Sequence, residues 1–255
     1  MKTLACVILI LFPLNSIDKY PTKHGKPTPK GVGMYVEDNE YDLIAEYQDY
    51  IEDTLWLDVW IMAEDLTDYV GHDTLELGTY WNGEIYIDMD TNFVAYELKP
   101  LSKFRRATIG ESNAFVKGTV FHELTHHYIN QIGREMEYYD SVRVNRAYQT
   151  GIWIIRNPSL FGSTFIEEGI CEYMVSQMGE LIPPKRFRPP KNVSDLTNPA
   201  NKYKYVYKYS SEYLKIFLDT TGFKEGVKIL ISNEPPSTNE ILTSELFFNR
   251  LDYDR

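Results

Sequence analysis

Cysteine is scarce in this chain of 255 residues, which contains only Cys6 and Cys171. Cys6 lies in an N-terminal segment that we expect to be removed, and the one remaining cysteine cannot form an internal disulfide. The fold must therefore rest on its hydrophobic core. With 43% apolar and 14% aromatic residues, the chain can form such a core and does not have the composition of a disordered protein.

The chain also has fewer basic residues than acidic ones. The chain has 26 Lys and Arg against 37 Asp and Glu, which gives a net charge of -11. Because such a chain repels phosphate backbones, we predict that nucleic acid is not a partner. Residues 202–209 mix lysine and tyrosine, as proteins that bind single-stranded nucleic acid do. A solvated lysine edge is the interpretation that agrees better with the overall charge.

Long apolar runs are absent apart from residues 4–12. Lys2 precedes this run, and a polar break at residues 13–16 follows it. The run is too short to span a bilayer stably, and this order of charge, apolar run and break is typical of a secretory signal peptide. We therefore predict a signal peptide over residues 1–16 and a secreted or periplasmic mature chain, residues 17–255, without stable membrane insertion. A buried N-terminal strand or helix is the alternative.

Apolar periodicity and capping residues indicate strands in the first part of the chain and helices in the second. Asn82-Gly83 is the preferred pair for a two-residue hairpin turn. Gly133 is predicted to end one helix, and Thr164 with Glu167 to cap the start of the next. Gly222 is predicted to end a later helix, and Ser237 with Glu240 to cap the last one. The predicted strands are 55–62, 75–80 and 84–88, and the predicted helices are 38–53, 111–132, 165–178, 207–220, 223–231 and 238–251. This order predicts a single α+β domain, with a strand-rich lobe to about residue 133 and a helical lobe over 134–255.

Three of the five histidines lie within residues 122–127. His122 and His126 are four residues apart, so on a helix they share one face and can bind one metal ion. Glu123 then lies beside the metal, where it can act as a base for water. His127 points about 140° away from His122 and is a poor ligand. A chance match to this short pattern is the alternative, but its apolar flanks predict a buried helix, where charged groups are costly unless they serve a site.

A catalytic zinc ion needs a third protein ligand and an open position. We predict that Glu168, on the helix over residues 165–178, is that ligand. Glu172 lies four residues further along the same face, where it can accept a hydrogen bond from the outer N–H of a histidine. The alternative is that Glu167, Glu168 and Glu172 form a solvated acidic face. Because the histidine pair favours the metal site, we predict one Zn²⁺ ion as the cofactor.

The segments His122-Glu-Leu-Thr-His126 and Phe165-Ile-Glu-Glu168-Gly169 resemble the gluzincin branch of the zincin metallopeptidases, the peptidase MA-like group. The resemblance implies a zincin-like fold, in which an N-terminal mixed β-sheet and an active-site helix precede a mainly helical C-terminal lobe. It also implies that the hairpin at Asn82-Gly83 contains the edge strand on which such enzymes bind their substrates.

The resemblance also assigns roles to individual residues. It implies the metal ligands His122, His126 and Glu168, and Glu123 as the general base. Members of this group often stabilise the oxyanion with a tyrosine that begins a helix about fifteen residues before a glycine. Tyr207 has this spacing, and Tyr209 is the second choice. The alternative for both is packing, since tyrosines alternate along residues 203–209.

We therefore expect a secreted zinc metallopeptidase, an endopeptidase that acts as a monomer on peptide or protein substrates. The alternative is a non-catalytic zinc-binding extracytoplasmic protein of the same fold, although a purely structural site has no need of Glu123. The chain lacks the Gly-x-Met-Glu-Asn segment of aminopeptidases and the third histidine of metzincins. Cys171 stands where the family often has alanine, and we expect it to be a small buried residue.

Overall fold

The computed structural model describes residues 32–56, 59–64, 78–81, 84–88, 109–136, 158–177, 188–198, 201 and 203–251. The predicted signal peptide and the Asn82-Gly83 turn lie outside these ranges. No helix within them has both the length and the apolar character of a membrane span. The elements are α1 (Val32–Ile51), β1 (Trp60–Glu64), β2 (Gly78–Trp81), β3 (Glu84–Asp88), α2 (Ile109–Glu135), α3 (Pro158–Gln177), α4 (Val193–Thr197), a π-helix (Tyr203–Tyr209), α5 (Ser210–Thr221), α6 (Phe223–Ser232), α7 (Thr238–Leu242) and α8 (Ser244–Arg250).

The described strands form one mixed sheet of three strands in the order β1-β3-β2. β1 runs parallel to β3, and β2 runs antiparallel to it. The pairing of Trp81 with Glu84 leaves two residues between β2 and β3, as the predicted hairpin requires. β2 is thus an edge strand of this sheet. All described strands precede residue 89 and helices dominate the rest, which confirms the α+β prediction.

The long helix α2 lies at the centre of the hydrophobic core. Phe121, Leu124, Tyr128 and Ile132 are fully buried and recur at the spacing of one helix face. α2 contacts α1, β2, β3, α3 and α6. Tyr128 also donates its hydroxyl to Asp53, just after α1, at 2.8 Å. Side chains of α2 therefore face several elements at once, and the candidate site is built on this helix.

Two helix ends differ from the sequence prediction. α2 continues through Gly133 to Glu135, because Gly133 keeps helical bonding in the interior of the helix, and Met136 N still donates to Ile132 O at 3.0 Å. α3 begins at Pro158, and proline is favoured in the first turn of a helix. Thr164 and Glu167 therefore lie inside α3 and cannot form the predicted capping box.

The tyrosine-rich segment is a π-helix and not the strand-like lead-in that its alternation suggested. Tyr205 and Val206 are neighbours in the sequence and both are buried, which a strand with alternating faces cannot provide. The π-helix continues into α5, which ends at Gly222 with φ 81, as predicted. The predicted capping box of Ser237 and Glu240 is confirmed, but the last helix is interrupted and forms α7 and α8.

α3 approaches the start of α5 closely at Gly169. A Cβ atom placed there would lie 2.9 Å from Ser210 Cβ, 2.9 Å from Leu214 Cδ1 and 3.1 Å from the Ser210 carbonyl carbon. The last of these belongs to the backbone, so it cannot move aside by rotating a side chain. Glycine at this position is what lets α3 pack directly against the start of α5.

We predict that Gly169→Ala lowers the free energy of unfolding by about 1–3 kcal/mol, because the added methyl group overpacks this contact. Gly133→Ala is the matched control, since among the described residues its Cβ would meet only Ile231 Cδ1, at 4.0 Å. That change should raise the free energy of unfolding by up to about 1 kcal/mol through helix propensity. Urea unfolding followed by circular dichroism measures both. Equal stability of Gly169→Ala and wild type would contradict the close approach.

Glu240 joins the capping box of α7 to the end of α8. Its Oε2 accepts a hydrogen bond from Ser237 N at 2.7 Å, and Ser237 Oγ accepts one from Glu240 N at 3.3 Å. Arg250 Nε donates to Glu240 Oε1. The hydrogen bond from Arg250, opposed by burial and assisted by those from Ser237, lowers the pKa of Glu240 to about 2. The ionised form is therefore the one that the folded state stabilises.

We predict that the stability lost in Glu240→Gln depends on pH. The folded-state pKa lies below the unfolded value of about 4.3, so the stabilisation is fully present above that pH and is lost as the pH falls toward 2. The loss should be about 1 kcal/mol near neutral pH and should shrink in acid. Thermal unfolding at several pH values measures it. Asn192→Ala, which removes the uncharged cap of α4, should show a constant cost, and a constant cost for Glu240→Gln would contradict the prediction.

Candidate metal centre

Two helices that pack side by side supply the candidate site. α2 contributes His122 and His126, whose ring centroids lie 5.1 Å apart on one helix face, as their spacing predicted. α3 faces them with its carboxylates and with Cys171. The side chains of both histidines and of Glu168 are only 12–15% exposed. The predicted ligands are therefore brought together in a largely desolvated place.

One carboxylate oxygen faces the Nε2 atoms of both histidines. Glu168 Oε2 lies 3.1 Å from His122 Nε2 and 3.9 Å from His126 Nε2. In a tetrahedral zinc site with bonds of about 2.0–2.1 Å, neighbouring ligand atoms lie about 3.3–3.4 Å apart. The two distances from Glu168 Oε2 lie on either side of this value.

The opposite nitrogen of each imidazole has its own carboxylate. His126 Nδ1 lies 2.9 Å from Glu167 Oε1, and His122 Nδ1 lies 3.6 Å from Glu172 Oε1. Metal-bound histidines usually have such an outer partner, which fixes the ring orientation and the tautomer. Glu172 is in the predicted place. Glu167 was missed, because its spacing from Thr164 indicated a helix cap, although its position next to Glu168 was a signal that it could serve the site.

Cys171 is a second candidate for the third ligand. The ligand atoms of His122, His126 and Cys171 all lie within 4.8 Å of one another, which makes these residues a potential metal-binding group. Cys171 is fully buried, as expected. Burial, with a smaller contribution from the charge of Glu168, raises the pKa of the thiol well above its ordinary value. We favour Glu168 as the ligand because its Oε2 atom faces both Nε2 atoms, while the raised pKa of the thiol opposes formation of the thiolate.

The charges around the histidines favour a cation between them. Burial lowers the pKa of His122, but hydrogen bonds to Glu168 and Glu172 and the charge of Glu123 outweigh it, so the pKa lies well above its ordinary value. The pKa of His126 is shifted in the same direction, with Glu167 as its hydrogen-bond partner. The surrounding carboxylates thus stabilise a proton on each imidazole.

Glu123 lies at the boundary between α2 and the edge strand β2. Its side chain is buried, with the residue 5% exposed. A Cβ atom at Gly78 would lie 3.0 Å from both Glu123 Cγ and Glu123 Oε1, so the carboxylate lies against the backbone of the strand. The predicted base is therefore next to the strand that was predicted to bind substrate.

The π-helix brings Tyr207 to the site. The Tyr207 ring lies 6.2 Å from the His122 ring, centroid to centroid. Tyr209 contacts Phe165, Tyr205 and Tyr213 in the aromatic part of the core. Of the two tyrosines considered for the oxyanion, the first choice is thus the one beside the histidines.

His127 faces away from the other two histidines, as predicted. Its Nδ1 lies 3.0 Å from the Tyr80 hydroxyl, and its Nε2 lies 3.3 Å from the Trp56 carbonyl oxygen. The Tyr80 hydroxyl also accepts a hydrogen bond from Asn130 Nδ2 at 3.0 Å. His127 therefore ties α2 to β2 and to the segment after α1.

The lysines of the tyrosine-rich segment contact groups within the chain. Lys204 Nζ donates to the Tyr205 hydroxyl at 2.7 Å, and Lys208 Nζ donates to Glu172 Oε2. Tyr205 is only 4% exposed, so its ring is not available for stacking on a base. Among the described residues of this segment, both lysines thus have partners within the chain and the Tyr205 ring is buried.

Comparison of the chain with protein-family models, with curated proteins and with solved structures finds no match. The resemblance to the gluzincins therefore rests on the two motifs and on the arrangement of their side chains.

Proposed function

We propose that this protein is a zinc-dependent metallopeptidase of the gluzincin type, with a zincin-like fold. The observation that carries the proposal is the position of the Glu168 carboxylate, which faces Nε2 of both His122 and His126 while separate carboxylates face their Nδ1 atoms. Three carboxylates around two largely buried imidazoles are the arrangement expected of a histidine metal site with one carboxylate ligand and two outer partners.

The donor set suits zinc better than the other common metals. Two imidazoles and one carboxylate are a usual ligand set for catalytic Zn²⁺, while Mg²⁺ and Ca²⁺ prefer oxygen ligands alone. His122, His126 and Glu168 would hold the ion and leave one position for a substrate or water. When bound, the ion supplies a Lewis acid that polarises the peptide carbonyl and makes water more acidic.

Glu123 is proposed to move the proton in hydrolysis. It accepts a proton from the attacking water and then delivers it to the leaving amine, so that one carboxylate serves both steps. Its burial against β2 excludes bulk water from this transfer. A peptide that pairs with the edge of β2 to which no described strand is bonded would place its backbone beside this carboxylate.

Tyr207 is proposed to stabilise the oxyanion. Its hydroxyl would donate a hydrogen bond to the oxygen that gains negative charge as water attacks, a contribution that grows in the transition state. The support is its ring contact with His122, while Tyr209 packs elsewhere. Peptide or protein substrates, a monomeric state and an extracytoplasmic location stay predictions from the sequence.

One observation favours a second function. Because the Cys171 sulfur lies within 4.8 Å of the histidine nitrogens, the thiolate can complete a tetrahedral set with His122, His126 and Glu168. Four protein ligands leave no open position, and such closed sites are structural. The second candidate is therefore a non-catalytic zinc-binding protein in which Glu123 has no role as a base.

We predict that Glu123→Gln retains zinc and loses peptide hydrolysis by at least about 100-fold, because the amide cannot accept the proton from water. Elemental analysis and a mixed-peptide cleavage assay measure the two properties. Glu225→Gln makes the same change at an exposed residue that pairs with Lys228, and it should leave both unchanged. Cleavage by Glu123→Gln at the wild-type rate would rule out the proposed mechanism.

We predict that Glu168→Ala loses most of its zinc and that Cys171→Ala keeps one ion per chain. The reason is that Glu168 Oε2 faces the Nε2 atoms of both histidines, at 3.1 Å and 3.9 Å. Zinc content after dialysis distinguishes the two, and the spectrum of the cobalt-substituted protein shows whether a thiolate is bound. A thiolate-to-cobalt charge-transfer band that disappears in Cys171→Ala would instead support the closed site.

A further inference from the structure

A lysine from the π-helix reaches the outer partner of a predicted metal ligand. Lys208 Nζ donates to Glu172 Oε2, and the other oxygen of the same carboxylate, Oε1, lies 3.6 Å from His122 Nδ1. Three elements, the π-helix, α3 and α2, thus each contribute one residue to a continuous chain of charged contacts. Sequence reasoning treated Lys208 as part of a solvated edge and gave it no role.

Glu172 needs a cation near it for two reasons. Its side chain is only 12% exposed, and an ionised carboxylate is costly to bury without a partner. Glu168 lies one helical turn before it on the same face, so the two negative charges repel each other. Lys208, with its side chain 25% exposed, supplies the compensating charge at the far side of the carboxylate.

We propose that Lys208 is a positioning residue of the metal centre, which holds Glu172 against His122 and thereby fixes the imidazole for binding the ion. The inference rests on the proposed zinc site, but it does not depend on peptide hydrolysis. In this proposal Lys208 is neither a ligand of the ion nor a group that acts on the substrate. Its effect passes through Glu172, whose carboxylate sets the orientation of the ring.

The direction in which zinc affinity changes when Lys208 is replaced distinguishes this positioning role from direct charge repulsion between the lysine and the ion. A lysine near the site repels a divalent cation, so removal of its charge alone would tighten zinc binding. If Lys208 positions Glu172, removal frees the carboxylate to turn away from His122, and zinc binding weakens. The two accounts therefore predict opposite changes in the dissociation constant for zinc.

The test is the zinc dissociation constant of the full chain, measured by competition with a chromogenic chelator. Lys208→Met should weaken binding by about threefold to tenfold, somewhat less than is usual for a direct outer partner of a ligand. Lys208→Arg keeps the charge and the donors and should restore most of the affinity. Lys204→Met is the matched control: it removes the same charge from the same π-helix at a residue that contacts Tyr205, and it should bind zinc like wild type.

A double-mutant cycle tests whether Lys208 affects zinc affinity through Glu172. In a Glu172→Gln background, Lys208→Met should cause no further loss of zinc affinity, because the carboxylate it holds is gone. Thermal unfolding in the presence of chelator checks that each variant is folded. If Lys208→Met is not folded, Lys208→Gln is used in its place.

Unchanged or tighter zinc binding in Lys208→Met would overturn the inference and leave the zinc site intact. An equal loss with and without the Glu172 carboxylate would overturn it as well. Wild-type protein that is folded and binds no zinc would overturn the proposed function and this inference together.

Discussion

The central constraint on this structure is the burial of two imidazoles between α2 and α3. Histidines and carboxylates are costly to remove from water unless each polar atom finds a partner. Here the partners are one another: Glu168 faces both Nε2 atoms, and Glu167 and Glu172 face the Nδ1 atoms. The other features of the site follow from the need to hold these groups in a fixed arrangement.

Two packing contacts, one on each side of the site, hold these groups in place. Gly169 lets α3 approach the start of α5 closely, so the carboxylates on α3 are backed by a rigid contact. On the other side, His127 and Asn130 join α2 to the Tyr80 hydroxyl on β2. The residues between these two contacts, including Glu123, are held by the hydrophobic core and not by a mobile loop.

The sequence alone was enough to predict the parts of the site whose geometry follows from the periodicity of a single helix. Residues four apart on a helix share a face, and this rule alone pairs His122 with His126 and Glu168 with Glu172. The sequence was not enough to predict the parts of the site where segments far apart in the chain meet. Nothing local shows that Glu167 reaches His126, that Gly133 lies inside a helix, or that alternating tyrosines form a π-helix, because these outcomes depend on contacts made by residues far apart in the chain.

The π-helix also bears on how related chains could diverge. π-helical turns hold one more residue per hydrogen-bonded ring than α-helical turns do, and they are frequent at functional sites. Loss of Tyr209, the last residue of the π-helix, would turn Tyr207 and Lys208 by roughly 100° relative to α5. A descendant with this deletion would keep His122, His126 and Glu168 and lose the two side chains that reach His122 and Glu172. The number of residues in the π-helical segment would then show whether a related chain has Tyr207 and Lys208 at the site, which the two motifs alone would not show.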